Sequence, residues 1–268
     1  MTSHQQHVAE AFVSLTDTLA DGVDPTVLLD RLALHCVALT GASATGILMG
    51  DARGNLRPMA VSDERAALLE LIQLQTGQGP CVEAWRTHRQ VAVPQLADEI
   101  ERWPAFVPLA LTSGFHAAYA LPIRAHRQIV GAVNLLLQDS AELDADDVAL
   151  VQALADVTAV SVVRWSVEPT RPQDILTHVQ AAVSVKAALE TAKGLLSAYS
   201  GESVADAGQA IHRYSARSGE RPSDIARALI RRTLAPETVY GQRAPRRPEG
   251  HDDHDDHVAD EASPRPTL

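Results

Sequence analysis

Cysteine is scarce in this chain. Cys36 and Cys81 are the only two, too few for a disulfide framework, so a reducing cytoplasm is the expected setting. Long apolar runs are missing: no stretch reaches about 18 residues without a charge, and no membrane span is expected. The opening MTSHQQHVAEAF lacks the charged start and apolar run of a signal peptide. Catalytic patterns are missing too. There is no nucleophile–base–acid set, no dinucleotide-binding fingerprint and no metal motif in the part expected to fold. The run Gly77-Gln78-Gly79-Pro80 lacks the Gly-Lys-Ser/Thr ending of a phosphate loop. Together these absences predict a protein that is not an enzyme, and no cofactor is assigned.

What is present is enough for about two domains: 268 residues, 46% of them hydrophobic. The net charge of −11 argues against coating nucleic acid with the whole surface. The charge is unevenly spread. Residues 1–170 carry 10 basic against 20 acidic side chains, residues 171–235 carry 9 against 6, and residues 236–268 carry 4 against 8. The one positive segment has the sign that phosphate contact requires.

Apolar spacing predicts a helix over 8–20 and a second that starts at Asp24-Pro25-Thr26 and closes at Gly41. Strands are expected at 43–49 and 56–61, with a turn-rich segment between them. Ser62-Asp63-Glu64 caps a helix through Leu74, and the glycine-rich run leads into a short one. A strand follows at 90–93, then helices broken by Pro104 and Pro108. Two strong strands cover 117–123 and 129–137, and a long helix runs over 143–165, capped by Asp144. Helices flanking an antiparallel sheet indicate an α+β sensor-type domain.

The order of these elements, with GQGPCVEAWRTHRQVAV and then FHAAYALPIRAHRQIVGAVNLLL, resembles the GAF domain over roughly residues 25–165. Its most specific part is the last strand pair, with Pro122 in the first and Gly131-Ala132-Val133 in the second. The resemblance implies a sensor or dimerisation module, with a small molecule as its ligand, and does not say which ligand.

Residues 186–232 read as three short amphipathic helices punctuated by Gly201 and by 219–222. In the first, Val185, Ala188, Leu189, Ala192, Leu195, Leu196 and Tyr199 share one face, with Lys186, Glu190 and Lys193 opposite; Glu190 can reach both lysines. In the second, Val204, Ala207, Ile211 and Tyr214 make the stripe, and Ser203 is the N-cap, with Asp206 three residues on. In the third, Pro222 suits the first turn, and Ile225, Ala228 and Leu229 face inward.

Ala192-Lys193-Gly194 on a long helix, a short second helix with Arg213-Tyr214, and the closing DIARALI resemble the ANTAR domain of bacterial antitermination regulators, over roughly residues 174–235. The chain departs from that pattern at Val185-Lys186, at Gly208 and at Ile211-His212. The resemblance implies an all-α three-helix bundle that, paired in a homodimer, binds hairpin loops in nascent RNA and lets transcription continue. The long helices on either side of the junction could pair with a second chain as a stalk. The full organisation expected is an N-terminal helix (1–24), a GAF-like domain (25–167), an ANTAR-like three-helix domain (174–235) and a disordered acidic, His-rich tail (236–268), with Val167–Pro172 as the junction.

Candidate RNA contacts are Lys186, Lys193, Gly194, Arg213, Arg217 and Arg221. Basic side chains would hold the RNA backbone; alternatively they form an ordinary solvated helix face. Gly194 either lets RNA approach closely or packs helix on helix. Candidate ligand contacts in the sensor domain are Cys81, Tyr119 and Asn134. Cys81, at a helix start, is either a redox or ligand contact or a small buried residue. His251, His254 and His257 lie between Asp pairs and could ligate a metal, or belong to a solvated tail. A second functional reading has the bundle, with Val185, Gly208 and His212, docking protein instead of RNA.

Overall fold

The computed structural model describes residues 3–17, 24–165 and 175–241. The first half builds one sheet between two helical layers. Helices α1 (Ser3–Thr16) and α2 (Pro25–Leu39) lead into strands β1 (Ala44–Gly50) and β2 (Leu56–Val61), and then come helices α3 (Glu64–Thr76) and α4 (Pro80–Thr87). Strand β3 (Val91–Val93) precedes a 3-10 turn at Leu96–Glu99 and helix α5 (Val107–Thr112). The long hairpin β4 (Ala117–Ala125) and β5 (Gln128–Leu137) closes the sheet, and α6 (Ala145–Arg164) lies back across it.

All strand pairs are antiparallel, in the order β2-β1-β5-β4-β3. β1 is buried at every position because helices cover both of its faces. On one face α1, α2 and α6 pack against Ile47, Met49, Tyr119, Leu121, Val133 and Leu135. On the other, α3, α4 and α5 pack against Ala44, Leu48, Ala118, Ala120, Ala132 and Leu136. Four of those six are alanines, so that face of the sheet is shallow and its cover sits close. The expected caps form: Asp63 accepts from the Arg65 N–H at 2.7 Å, and Asp144 from the Asp146 N–H at 2.9 Å.

Helix α7 (Ile175–Ser200) belongs to two cores. Its first turns bury Ile175, Val179 and Ala182 against α2, α6 and β1. Its later turns bury Val185, Leu189, Ala192 and Leu196 against α8 (Val204–Ser218) and α9 (Pro222–Ile230). Steps of three and four residues keep both sets on one side of the helix. Ser203 caps α8: its Oγ accepts from the Asp206 N–H at 3.1 Å and donates to the Asp206 carboxylate at 2.6 Å. Gly219, at φ 73°, ends α8 in the left-handed region that favours glycine.

Two expectations need correction. Spacing puts Leu195, Tyr199 and Val204 on inward faces, but they are 45%, 39% and 49% exposed, because α8 and α9 both approach α7 along the 185–189–192–196 line. Residues 236–240 are not disordered: Pro236–Tyr240 forms α10, with Val239 buried and the Tyr240 hydroxyl donating to Ser200 Oγ at 2.9 Å. Within the chain α6 packs on α1 and α2, and α7 packs on α2 and α6. Val167–Pro172, positions 18–20 of the first expected helix, and His251, His254 and His257 lie outside the described residues.

Candidate functional site

Helix α3 carries the most unusual burial in the protein. Its inner stripe is Ala66, Leu69, Glu70 and Gln73, while Leu68 and Leu71 are left 48% and 46% exposed. A carboxylate and a carboxamide therefore face the sheet where leucines were available. Asn134, on the central strand β5, donates from Nδ2 to Glu70 Oε1 at 2.9 Å. Gln73 donates from Nε2 to Glu70 Oε2 at 3.1 Å and accepts from the Cys81 N–H at 2.9 Å. Glu70, Gln73 and Asn134 have no solvent exposure.

Two glycines make room for this cluster. A Cβ on Gly46 of β1 would stand 2.3 Å from Glu70 Oε1. A Cβ on Gly79 would stand 2.5 Å from Gln73 Cγ and Oε1, and Gly79 also has φ 126°. The glycine-rich run thus serves packing, because it lets Gln73 lie against the start of α4.

Burial pushes the Glu70 carboxyl up to about 7, with the Asn134 hydrogen bond opposing the rise. Asn134 Oδ1 is buried without a hydrogen-bond partner, an uncommon state that invites a functional account. The cluster can hold or release one proton near neutral pH inside a dry interior. It is closed: α3, α4 and the segment of Trp103 and Phe106 lie over the sheet here, so a ligand would reach Glu70 only if that cover shifted.

Of the three ligand contacts expected from the sequence, the structure brings together Cys81 and Asn134 but not Tyr119. Tyr119 points to the opposite face of the sheet, where its hydroxyl donates to Ala141 O at 3.2 Å and accepts from the Leu143 N–H at 3.1 Å. Strand alternation is the reason: its neighbours Ala118 and Ala120 face Glu70's side. Cys81 is no thiolate. Burial, and then the Glu70 charge, raise its thiol well above the ordinary range, and burial pushes Cys36 up to about 12. Both cysteines should therefore resist iodoacetamide in the native protein and react at the rate of a free thiol only after unfolding, read by mass spectrometry.

The cationic candidates divide into two groups. Lys186 and Lys193 are the only lysines in the chain, and both bind Glu190 Oε1, at 3.2 and 2.9 Å. Their side chains are 26% and 25% exposed. They look toward the sensor half, along a groove of about 600 Å3 that is also lined by Arg57, Pro58 and Leu71. The stem of Lys193 lies over Gly208, where an added Cβ would meet Lys193 Cε at 3.2 Å. The arginines face outward. Arg213 reaches Gln209 at 3.5 Å, Arg217 donates to Val239 O at 3.1 Å, and Arg221 donates to Asp224 at 2.9 Å. Gly194 is exposed, with nothing within 4 Å of an added Cβ, so it packs no helix in this chain.

Glu70 and Gln73 do not stand out in the sequence. The inverted stripe, with Glu and Gln inward and leucines outward, leaves no periodic signal that distinguishes them from surface residues. Among the described residues no group of three His, Cys, Asp or Glu is placed to hold a metal, and no helix is long and apolar enough to cross a membrane.

A five-stranded antiparallel sheet with helices on both faces and a buried polar cluster beneath one layer defines a sensor-type α+β domain. A family model of the GAF domain matches residues 22–163, more than half of the chain, and the protein belongs to the GAF domain family, a fold used to sense small molecules. Among solved structures, the GAF domain of an Acinetobacter phosphoenolpyruvate-protein phosphotransferase is similar at 14% identity, with a TM-score of 0.49, 64% of this chain and 100% of that one covered. The free methionine-R-sulfoxide reductase of Neisseria meningitidis, in complex with its substrate, is similar at 16% identity, with a TM-score of 0.45 and coverage of 67% and 91%. That of Thermoplasma acidophilum is similar at 15% identity, with a TM-score of 0.43 and coverage of 53% and 94%. No curated protein matches the chain.

Proposed function

We propose that this protein is a transcription antitermination regulator, a sensor and not an enzyme, in which residues 25–167 respond to a small molecule and residues 174–235 bind hairpin loops in nascent RNA as an ANTAR-like unit of a cytoplasmic homodimer. The observation that carries the reading is the Ala192-Lys193-Gly194 helix within the one positive segment of the chain. The outward set of Arg213, Arg217 and Arg221 supports it, as does the bare backbone at Gly194. Phosphate contacts made by arginine and lysine release counterions, so the binding should weaken steeply with salt.

The test is fluorescence anisotropy with a labelled RNA carrying two hairpin loops, between about 50 and 200 mM salt. Saturable, salt-sensitive binding that Arg213→Gln with Arg217→Gln weakens about tenfold is expected. Absence of binding at low salt would overturn the reading. A second reading, a bundle that docks protein, is favoured by one observation: Lys186 and Lys193 look toward the sensor half. That reading predicts no RNA binding and an unchanged oligomeric state in the same arginine variants.

A further inference from the structure

Helix α2 of the sensor domain meets the three-helix unit through two carboxylates. Asp24, at its N-terminus, is fully buried, and so is its partner Ser223 at the start of α9, 199 positions away in sequence. Asp24 Oδ2 accepts from the Ser223 N–H at 2.8 Å and Oδ1 accepts from the Ser223 hydroxyl at 2.7 Å. Asp24 thus begins α2 through its backbone carbonyl, which accepts from the Val27 N–H at 2.9 Å, while its carboxylate caps α9 in trans, where the positive end of that helix favours a negative charge. A second contact braces the first: the Arg221 guanidinium lies over the Trp165 ring at the end of α6, 5.4 Å from its centroid. Between one and two turns further along α2, the exposed Asp30 lines the same groove as Lys186 and Lys193, whose ammonium groups pair with Glu190 of their own helix.

The seam between these contacts is not a merged apolar core. The α2 side chains belong to the core around the sheet, and those of α8 and α9 to a separate one. Between them, beside Thr26, Val27, Leu189 and Ile211, is a cavity of about 30 Å3, large enough for one water. Polar contacts between two cores that share only helix α7 and the end of α6 are the kind that open and close locally.

We propose that α2 is a reversible clasp: Asp24 on Ser223 and Asp30 beside the two lysines hold the three-helix unit against the sensor domain and keep Lys186 and Lys193 turned away from a polyanionic partner. Opening needs no new fold. The first turns of α7 stay in the sensor core, while the turns that carry the lysines move away from α2 together with α8 and α9. That the partner is an RNA backbone rests on the function proposed above; the clasp itself does not.

The full chain is tested with Ser223→Ala, which removes one hydroxyl, and Asp24→Asn, which removes the charge. Neither replaces a group that touches a lysine. Because the protein has two lysines only, acetylation by N-hydroxysuccinimidyl acetate reads their accessibility directly by mass spectrometry. The expected result is at least a fivefold faster acetylation of Lys186 and Lys193 in both variants. Amide hydrogen exchange should quicken in α9 and stay unchanged in β4 and β5. Unchanged acetylation in a folded variant overturns the clasp. So does an equal loss of protection in β4 and β5, which would make Asp24 a staple of the whole fold. Faster acetylation without tighter binding of the two-loop RNA leaves the clasp standing and shows that the polyanion it screens from the lysines is not this RNA.

Discussion

Replacing Glu70 by Gln is expected to stabilise the protein at pH 8 and to leave it nearly unchanged at pH 5. The carboxyl titrates near 7 in the folded chain against an ordinary value of 4.5. Between those two values the folded state holds a proton that the unfolded chain has released. Stability therefore falls as pH rises from about 4.5 to about 7 and stays at its lower level above that. The displacement corresponds to about 3 kcal/mol at pH 8. A carboxamide has nearly the same shape and no charge to bury, and it can still accept from one neighbouring amide. Urea unfolding at pH 5, 6, 7 and 8 checks it: the gap between variant and wild type should open by about 2–3 kcal/mol over that range. Parallel curves would mean that Glu70 is not the titrating group.

Gly46→Ala should be among the most damaging single-methyl additions in the sensor domain, with a loss of about 2–4 kcal/mol. The added Cβ would fall 2.3 Å from Glu70 Oε1 and 2.6 Å from two further atoms of the same side chain. Glu70 has no exit, because Gln73, Asn134 and the β1 backbone enclose it. If the clash is with that side chain alone, Glu70→Ala in the Gly46→Ala background should recover more than half of the loss. The pair would then show a coupling energy of about 1–3 kcal/mol in a double-mutant cycle. Thermal unfolding of the four proteins measures it. Independent, additive losses would show that β1 and not the carboxylate makes the glycine necessary. Gly131 is the contrast: its added Cβ would stand 2.3 Å from the Leu48 carbonyl oxygen, a backbone atom that no companion substitution can remove.

Much of the architecture was open to reading in the order of residues. Strand β2 lies where the turn-rich segment before it puts it, at Leu56–Val61. The caps Asp63, Asp144 and Ser203 all accept the backbone N–H groups expected of them, because capping depends on residues two or three apart. Glu190 reaches both lysines for the same reason. The family follows from such local patterns strung in a particular order.

Other features were set by parts of the chain far apart in sequence. Glu70 is inside and Leu71 outside because Gly46, 24 positions earlier, leaves space for a carboxylate, and Asn134, 64 positions later, donates to it. Tyr119 was sent away from that cluster by strand register, which follows from the partner strand and not from the tyrosine. Leu195 and Tyr199 had the right spacing for burial, but a long helix offers more apolar surface than α8 and α9 can cover. Spacing along a helix tells which residues share a face; which face is covered, and by what, is decided when distant segments meet. The pairing of Asp24 with Ser223 is of this second kind, as is the turning of both lysines toward the sensor.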